Sequence, residues 1–229
     1  MCGRNDFGQI GDSSYVNHRV PIKIMEDVYS ATAGWCVAYA IKRDGTLWAW
    51  GRNDKHLLGN GTTEDRCVPI KVMDDVSVVA ASATESEWAA AIKTDGTLWV
   101  WGEKQPSPTQ VLKNVSSVAV GADYVVAVRS DGSLWALGEN NFGQFGNATT
   151  KASNSPLKVM DDVFKVASGY QTTMVVMQNS SVWTWGRNAT GLLGDGSTPS
   201  LTAYNSKPTE VIAGRSSSLL AGIASRKKT

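Results

Sequence analysis

The sequence is poor in the residues that carry most protein chemistry. Its 229 residues include two histidines and three cysteines, Cys2, Cys36 and Cys67. An odd number of cysteines without metal-ligand spacing predicts free thiols, not a disulfide framework or a zinc site. The histidines, His18 and His56, fall in predicted loops, away from any motif that would supply a nucleophile or a metal cluster. We therefore expect no catalytic site, no metal and no cofactor.

Long apolar runs and excess charge are also lacking. The formal net charge is +1, so no large basic field is available to hold a polyanion, and we expect no nucleic-acid partner. No apolar run approaches the ~20 residues of a membrane helix, and the first residues lack the apolar core of a secretory signal. Since 42% of the residues are hydrophobic, the chain can bury a sizeable core. These features predict a soluble globular protein with no membrane contact, and they leave its cellular compartment open.

One motif recurs along the sequence. Segment 44–51 reads Asp-Gly-Thr-Leu-Trp-Ala-Trp-Gly, and related copies occupy 95–102, 131–138 and 179–186. Their closing glycines lie 51, 36 and 48 residues apart. Self-similarity at such a period indicates a repeat architecture.

Each copy of the motif predicts a β-hairpin. Asp-Gly between two apolar runs favours a type I′ turn, which needs positive φ at both central residues. Side chains alternate along a strand, so Trp48 and Trp50 are expected on one face of the sheet and Leu47 and Ala49 on the other. Both faces are then apolar, and each sheet should be covered on both sides.

The spacing of glycine, proline and turn divides the chain into units whose insertions fall between the strands. We assign residues 1–27 to a partial unit, with an outer strand over 20–25, and residues 28–75, 76–113, 114–161 and 162–213 to full units. A divergent tail, 214–229, contains a possible strand over 216–224. The third unit should have a short corner after residue 102, and the second unit's extra residues should lie near 83–87.

Four short strands per unit at a period near 48 residues favour the blades of a β-propeller. The succession Trp-Gly-Arg-Asn, Gly-x-Leu/Phe-Gly, Pro and Asp-Gly-Thr-Leu-Trp resembles the regulator of chromosome condensation repeat over nearly the whole chain. The resemblance implies a seven-bladed propeller. We therefore expect an all-β, incomplete propeller of four to five four-stranded blades. Because both ends cut through a unit, we expect a fragment of a longer repeat protein, with uncovered end blades through which copies could associate.

Within this architecture the repeated strand should supply the core. We expect its aromatic residues between blades and its closing glycines at the strand ends: Trp48, Trp50, Trp99, Trp101, Trp135, Trp183 and Trp185, with Gly51, Gly102, Gly138 and Gly186. Before each hairpin the family usually carries a histidine. This sequence instead has Val37, Trp88, Tyr124 and Thr172, which puts any role of that histidine in doubt.

Variable loops on a regular frame favour a non-enzymatic scaffold that binds another protein. The long loops after each Gly-Arg-Asn segment should gather on one face, with Tyr15, Arg66, Lys151 and Tyr204 as candidate contacts. The resemblance alone supplies two alternatives, guanine-nucleotide exchange on a small GTPase and inhibition of a β-lactamase. Exchange in the family relies on a protruding insertion without a counterpart here, and the neutral charge argues against chromatin.

Overall fold

The computed structural model describes residues 1–82, 84, 88–197 and 199–214. Within these ranges the chain forms sixteen β-strands, arranged in four antiparallel sheets, and no helix. Most of the predicted insertion near 83–87 and the predicted strand over 216–224 lie outside the described residues.

Each sheet is a four-stranded meander whose strands pair in chain order. The first sheet contains β1 (Val28–Ala33), β2 (Val37–Lys42), β3 (Leu47–Gly51) and β4 (Arg66–Met73). The second contains β5 (Val76–Ala81), β6 (Trp88–Lys93), β7 (Leu98–Gly102) and β8 (Gln105–Leu112). The third contains β9 (Val115–Val120), β10 (Tyr124–Arg129), β11 (Leu134–Gly138) and β12 (Ser153–Met160). The fourth contains β13 (Val163–Ser168), β14 (Thr172–Met177), β15 (Val182–Arg187) and β16 (Tyr204–Ile212).

The sheets pack face to face in chain order. The first strand of each sheet contacts the first strand of the next, and an apolar cluster fills each of the three spaces between sheets. All five residues from Val37 to Ile41 are buried, although their side chains alternate between the two faces of the first sheet. The prediction of sheets covered on both sides therefore holds for the first sheet, whereas Met174 in β14 of the fourth sheet is 42% exposed.

The tryptophan that precedes each closing glycine links one unit to the next. Trp101 is fully buried, and its indole N–H donates to the carbonyl of Leu57, in the loop of the preceding unit, at 2.7 Å. Trp50 and Trp185 bond the carbonyls of Gln9 and Gln144 in the same way, each at 2.9 Å. The third unit has Leu137 at this position, and the preceding loop there is reduced to residues 103–104, as the predicted short corner requires. A tryptophan is thus present where a long loop offers a carbonyl, and absent where it does not.

The close approach of the loop to the indole also explains why residue 146 is a glycine. Gly146 has φ +81°, a left-handed conformation that favours glycine. A Cβ there would lie 2.6 Å from Nε1 of Trp185. Gly11 and Gly59 lie against Trp50 and Trp101 in the same manner. The Gly-x-Leu/Phe-Gly signature therefore encodes the contact between a loop and the next sheet.

The other tryptophan of each repeated strand is partly exposed and closes a polar chain at the hairpin. Trp48 Nε1 donates to Thr46 Oγ1 at 2.9 Å, and that hydroxyl donates to Asp44 Oδ1 at 2.7 Å. The same chain recurs in the other three sheets through Asp95, Thr97 and Trp99, through Asp131, Ser133 and Trp135, and through Asn179, Ser181 and Trp183.

The hairpin turn differs from the type I′ turn predicted from Asp-Gly. Gly45 N–H bonds the carbonyl of Lys42, and Asp44 keeps a negative φ, so the turn is of type I with Gly45 (φ 82°) as the left-handed residue after it. Because Asp44 Oδ1 accepts bonds from both the N–H and the hydroxyl of Thr46, its side chain stabilises this three-residue loop. The sequence Asp-Gly is compatible with either turn, and the following threonine favours the longer one.

The outer strand predicted over 20–25 is not formed within the described residues. The backbone bonds that Met1 makes with Ile22, in both directions, and one bridge from Gly3 to His18 hold this segment. A ladder needs a long neighbour, and only residues 1–3 run beside the segment. Its apolar side chains Ile24 and Met25 nevertheless pack on the face that carries Trp50.

We predict that Trp101→Leu lowers the free energy of unfolding by about 2–4 kcal/mol, since it leaves a cavity and removes one of the two hydrogen bonds to the carbonyl of Leu57, which keeps the bond from the Tyr39 hydroxyl. Urea unfolding followed by circular dichroism measures this change. Tyr29→Leu, at a position that is 67% exposed, serves as the control and should cost less than about 0.5 kcal/mol. Equal midpoints for the parent and Trp101→Leu would contradict the linking role of the indole.

Because of the hairpin carboxylates, we expect the stability of the protein to depend on pH in the acid range. Hydrogen bonds from the hydroxyl and then the N–H of Thr46 lower the pKa of Asp44 below 3.8, and equivalent bonds lower the pKa values of Asp95 and Asp131. A lowered folded-state pKa contributes stability above pH 3.8 that is lost as the pH falls through the folded-state values. We predict that the melting temperature falls below about pH 4.

Asp44→Asn, Asp95→Asn and Asp131→Asn combined should make that fall shallower. The fourth sheet already uses Asn179, whose Oδ1 accepts the same two bonds, so the amide is compatible with the turn. Melting temperatures at several pH values between 7 and 2.5 test this. A profile of unchanged steepness in the triple variant would show that other groups cause the acid sensitivity.

Candidate protein-interaction face

The long loops and the turns between first and second strands lie at one edge of the sheets. Each third strand ends beside the turn that opens its second strand: Arg52, Glu139 and Arg187 N–H groups donate to the carbonyls of Cys36, Asp123 and Gln171. We call the edge formed by residues 4–17, 34–36, 52–66, 103–104, 121–123, 139–152, 169–171, 187–197 and 199–204 the loop edge. The Asp-Gly hairpins lie at the opposite end of the same strands. The strand directions therefore place the long loops at a common end of their sheets.

A buried asparagine holds each long loop together. Asn53 has no exposed surface; its Oδ1 accepts the N–H of Leu58 at 2.9 Å, and its Nδ2 donates to the carbonyl of Thr62 at 2.8 Å. Asn5, Asn140 and Asn188 make equivalent bonds in the other three loops. Sequence reasoning missed this role, although asparagine recurs two residues after Gly3, Gly51, Gly138 and Gly186, the glycines that a long loop follows. The loops are consequently fixed from inside, and their outer side chains are left to vary.

Three of the long loops rest on the outer strand of the next sheet: Gly61 N–H donates to the carbonyl of Pro106 in β8 at 3.3 Å, and the other two loops carry the candidate contact residues. Ser13 N–H donates to the carbonyl of Cys67 in β4 at 2.9 Å, and a Cβ at Gly8 would lie 2.6 Å from the Cα of Cys67. Likewise, Ala148 N–H donates to the carbonyl of Ser206 in β16 at 2.8 Å. These contacts define two equivalent junctions, one between residues 4–17 and β4 and the other between residues 139–152 and β16.

Tyr15 and Arg66 belong to the first junction. Tyr15 is 54% exposed, and a hydrogen bond with the Cys67 thiol raises the pKa of its phenol. Arg66 lies at the first position of β4 and pairs with Glu64 at 3.0 Å. Both side chains therefore lie where the first loop meets the next sheet.

Lys151 and Tyr204 belong to the second junction. Lys151 is exposed, and its backbone carbonyl accepts a bond from Asn140 at 3.2 Å. Tyr204 is 51% exposed and packs edge to face on Phe142, with ring centroids 6.4 Å apart. The four candidate residues are thus divided between two junctions and do not form one contiguous cluster.

An arginine stacks on a phenylalanine at both junctions. The Arg52 guanidinium lies 5.1 Å from the Phe7 ring centroid, and Arg187 lies 4.9 Å from that of Phe142. Each arginine follows a closing glycine, and each phenylalanine comes from the preceding loop. This contact between units was not predicted, because it joins residues about 45 positions apart whose neighbourhood only the fold reveals.

A partly buried carboxylate lies beside the second junction. Asp123 accepts bonds from the side-chain amides of Gln144 and Gln171, each at 3.3 Å, and burial raises its pKa despite these bonds. Gln171 in turn accepts a bond from Arg187 Nη1 at 3.2 Å. The network orients polar side chains of two loops and of the turn at 121–123.

Ion pairs connect neighbouring units along the loop edge. Lys55 pairs with Glu103 at 3.6 Å, and Lys104 pairs with Glu139 at 2.6 Å. In the described part of the chain, no group of three or more His, Cys, Asp or Glu side chains could hold a metal ion. That part also contains no helix able to cross a bilayer.

Four-stranded antiparallel meanders stacked face to face, with first strands in contact, are the blades of a β-propeller, here not closed into a ring. Solved structures agree. The chain superposes on human WBSCR16 with a TM-score of 0.75 at 18% identity, covering 91% of this chain and 61% of that one. It superposes on Prp20p of Saccharomyces cerevisiae with a TM-score of 0.71 at 21% identity, covering 80% and 50%. The chain thus spans about half to three fifths of these structures.

Family models identify the repeats. Residues 44–86 and 131–176 match the regulator of chromosome condensation (RCC1) repeat, and residues 115–144 match a second model of the same repeat. These matches cover residues 44–86 and 115–176 and support the regulator of chromosome condensation repeat over that part of the chain. No curated protein sequence matches it significantly.

We predict that Asn53→Ala destabilises the protein by roughly 2–4 kcal/mol, because it leaves a buried N–H and carbonyl without partners. Urea unfolding measures the loss, and hydrogen exchange should show faster opening of residues 52–65 than of residues 139–152. Asn60→Asp is the matched control, since Asp12 and Asp195 occupy the equivalent positions and accept the same bonds. If residues 52–65 of Asn53→Ala were as protected from hydrogen exchange as they are in the parent, this role of Asn53 would be contradicted.

Proposed function

We propose that the protein is a non-enzymatic scaffold whose loop edge binds another protein. The supporting observation is how the long loops are built: a buried asparagine fixes the backbone of each loop, an indole of the next sheet also bonds three of them, and large side chains face outward. Trp35, Tyr170 and Tyr204 are 56%, 46% and 51% exposed on or beside this edge. Exposed tryptophan, tyrosine and arginine are the residues that most often dominate protein-protein interfaces. Tyr15, Arg66, Lys151 and Tyr204 are proposed to contribute contacts.

Among related folds, protein partners are documented. The structural study of Prp20p concerns its binding to Gsp1p and histones, and yeast RCC1 has been crystallised with Kap60. These partners belong to those proteins. For the present chain, they motivate an assay for guanine-nucleotide exchange as the second candidate function.

Site-specific photo-cross-linking tests the scaffold proposal. A photoreactive amino acid is placed at Tyr170 or Tyr204 on the loop edge, and at the exposed Arg43 or Thr94 on the hairpin edge as matched controls. We predict protein adducts from the loop-edge positions in cells that express the chain naturally, and few from the hairpin edge. Adducts of equal yield at both edges, or none, would contradict the proposal.

Two activity measurements separate the alternatives. Faster nucleotide release from a panel of small GTPases would favour exchange, and slower turnover by a β-lactamase would favour inhibition. The scaffold proposal predicts neither effect.

A further inference from the structure

The three Gly-Arg-Asn segments differ at one informative position. Arg4 pairs with Asp6, two residues later, and Arg52 pairs with Asp54, each at 2.5 Å. The third segment has Ala189 at that position. Among the described residues, no carboxylate forms an ion pair with Arg187. In two segments the arginine thus pairs with an aspartate of the chain, and in the third segment the described residues supply no such carboxylate.

Arg187 is held in a defined orientation. Its guanidinium carbon lies 4.9 Å from the ring centroid of Phe142 and 6.0 Å from that of Tyr170. Its Nη1 donates to Gln171 Oε1 at 3.2 Å. Its Nε is buried and has no acceptor in the described part of the chain. A guanidinium whose orientation is fixed by aromatic rings loses little further freedom when it binds a carboxylate in its plane. The site is thus prepared for an anion that the described residues do not provide.

Two lysines at the loop edge already have carboxylate partners. Lys55 pairs with Glu103 and Lys104 with Glu139, each across two units. The nearest acidic group in the Arg187 network, Asp123, accepts its bonds from Gln144 and Gln171. Charge complementarity at the second junction consequently favours an incoming carboxylate.

We propose that Arg187 binds an aspartate or glutamate side chain of a protein partner, in the place that Asp54 occupies beside Arg52. The inference rests on the proposed scaffold function and names the chemistry of its partner. Phe142, Tyr170 and Tyr204 surround the arginine with aromatic surface, so the acidic residue is flanked by apolar residues in the partner. Charge-assisted bonds to a planar guanidinium supply direction, and the rings supply contact area.

Capped fluorescent peptides with one central glutamate between apolar residues are the probe, with glutamine peptides as the matched set. Anisotropy titration of the full chain should show at least about tenfold tighter binding of the glutamate peptides, the loss expected when a charged hydrogen-bond partner is removed. Ala189→Asp restores an internal carboxylate and should reduce binding of the glutamate peptides to the glutamine level. Thr190→Asp adds the same charge one residue further and should retain binding within about threefold, because a nearby surface charge acts weakly.

Arg187→Gln gives an independent test, since it removes the cation without adding charge, and it should also abolish the preference for glutamate. Melting temperatures confirm that each variant is folded. Equal binding of glutamate and glutamine peptides by the parent would overturn the proposal, as would equal effects of Ala189→Asp and Thr190→Asp. If partner adducts from Tyr204 persist unchanged in folded Ala189→Asp, the carboxylate site is wrong while the scaffold function stands. If adducts are missing from the parent itself, the scaffold function fails.

Discussion

The structure depends on the contact between each long loop and the tryptophan of the following sheet. A sheet that is apolar on both faces must be covered, and adjacent sheets cover most of that surface. The loop adds a hydrogen bond and a close backbone approach that set where one sheet sits on the next. Trp101 receives this contact from residues 52–65, and Leu137 takes its place where the preceding loop is reduced to two residues. Packing between units and the conformation of the loops therefore depend on the same contact.

That dependence explains how the same frame can carry different surfaces. A buried asparagine fixes the backbone of each long loop, and an indole of the next sheet also bonds three of these loops. The outward side chains therefore contribute little to loop conformation. Arg52 with Asp54 and Arg187 with Ala189 illustrate the result: the same guanidinium on the same kind of ring, with different charge around it. Variation of this type is how a repeat protein acquires distinct binding sites without changing its fold.

Much of the fold was predictable because its signals are local and repeated. The period, the hairpins and the alternation of Trp48 and Trp50 with Leu47 and Ala49 lead directly to four-stranded sheets covered on both faces. The turn type was not predictable from Asp-Gly alone, since Thr46 decides it by bonding to Asp44. The outer segment over 20–25 has strand-like sequence but too little backbone beside it to form a ladder.

The candidate site was less accessible from sequence. Tyr15, Arg66, Lys151 and Tyr204 were chosen as large or charged loop residues, and the structure places them at two junctions between units. The stacking of Arg187 on Phe142, and the network through Gln171 and Asp123, bring together residues that are distant in sequence. By contrast, the role of Asn53 could have been predicted, because asparagine recurs two residues after every closing glycine that a long loop follows.

The most direct test of this account is hydrogen exchange at the indole N–H groups, resolved by nuclear magnetic resonance. The account predicts strong and similar protection for Trp50, Trp101 and Trp185, whose N–H groups are bonded to loop carbonyls, and fast exchange for the exposed Trp35. Exchange of those three indoles as fast as that of Trp35 would show that the loops do not fix the sheets, and it would contradict the account.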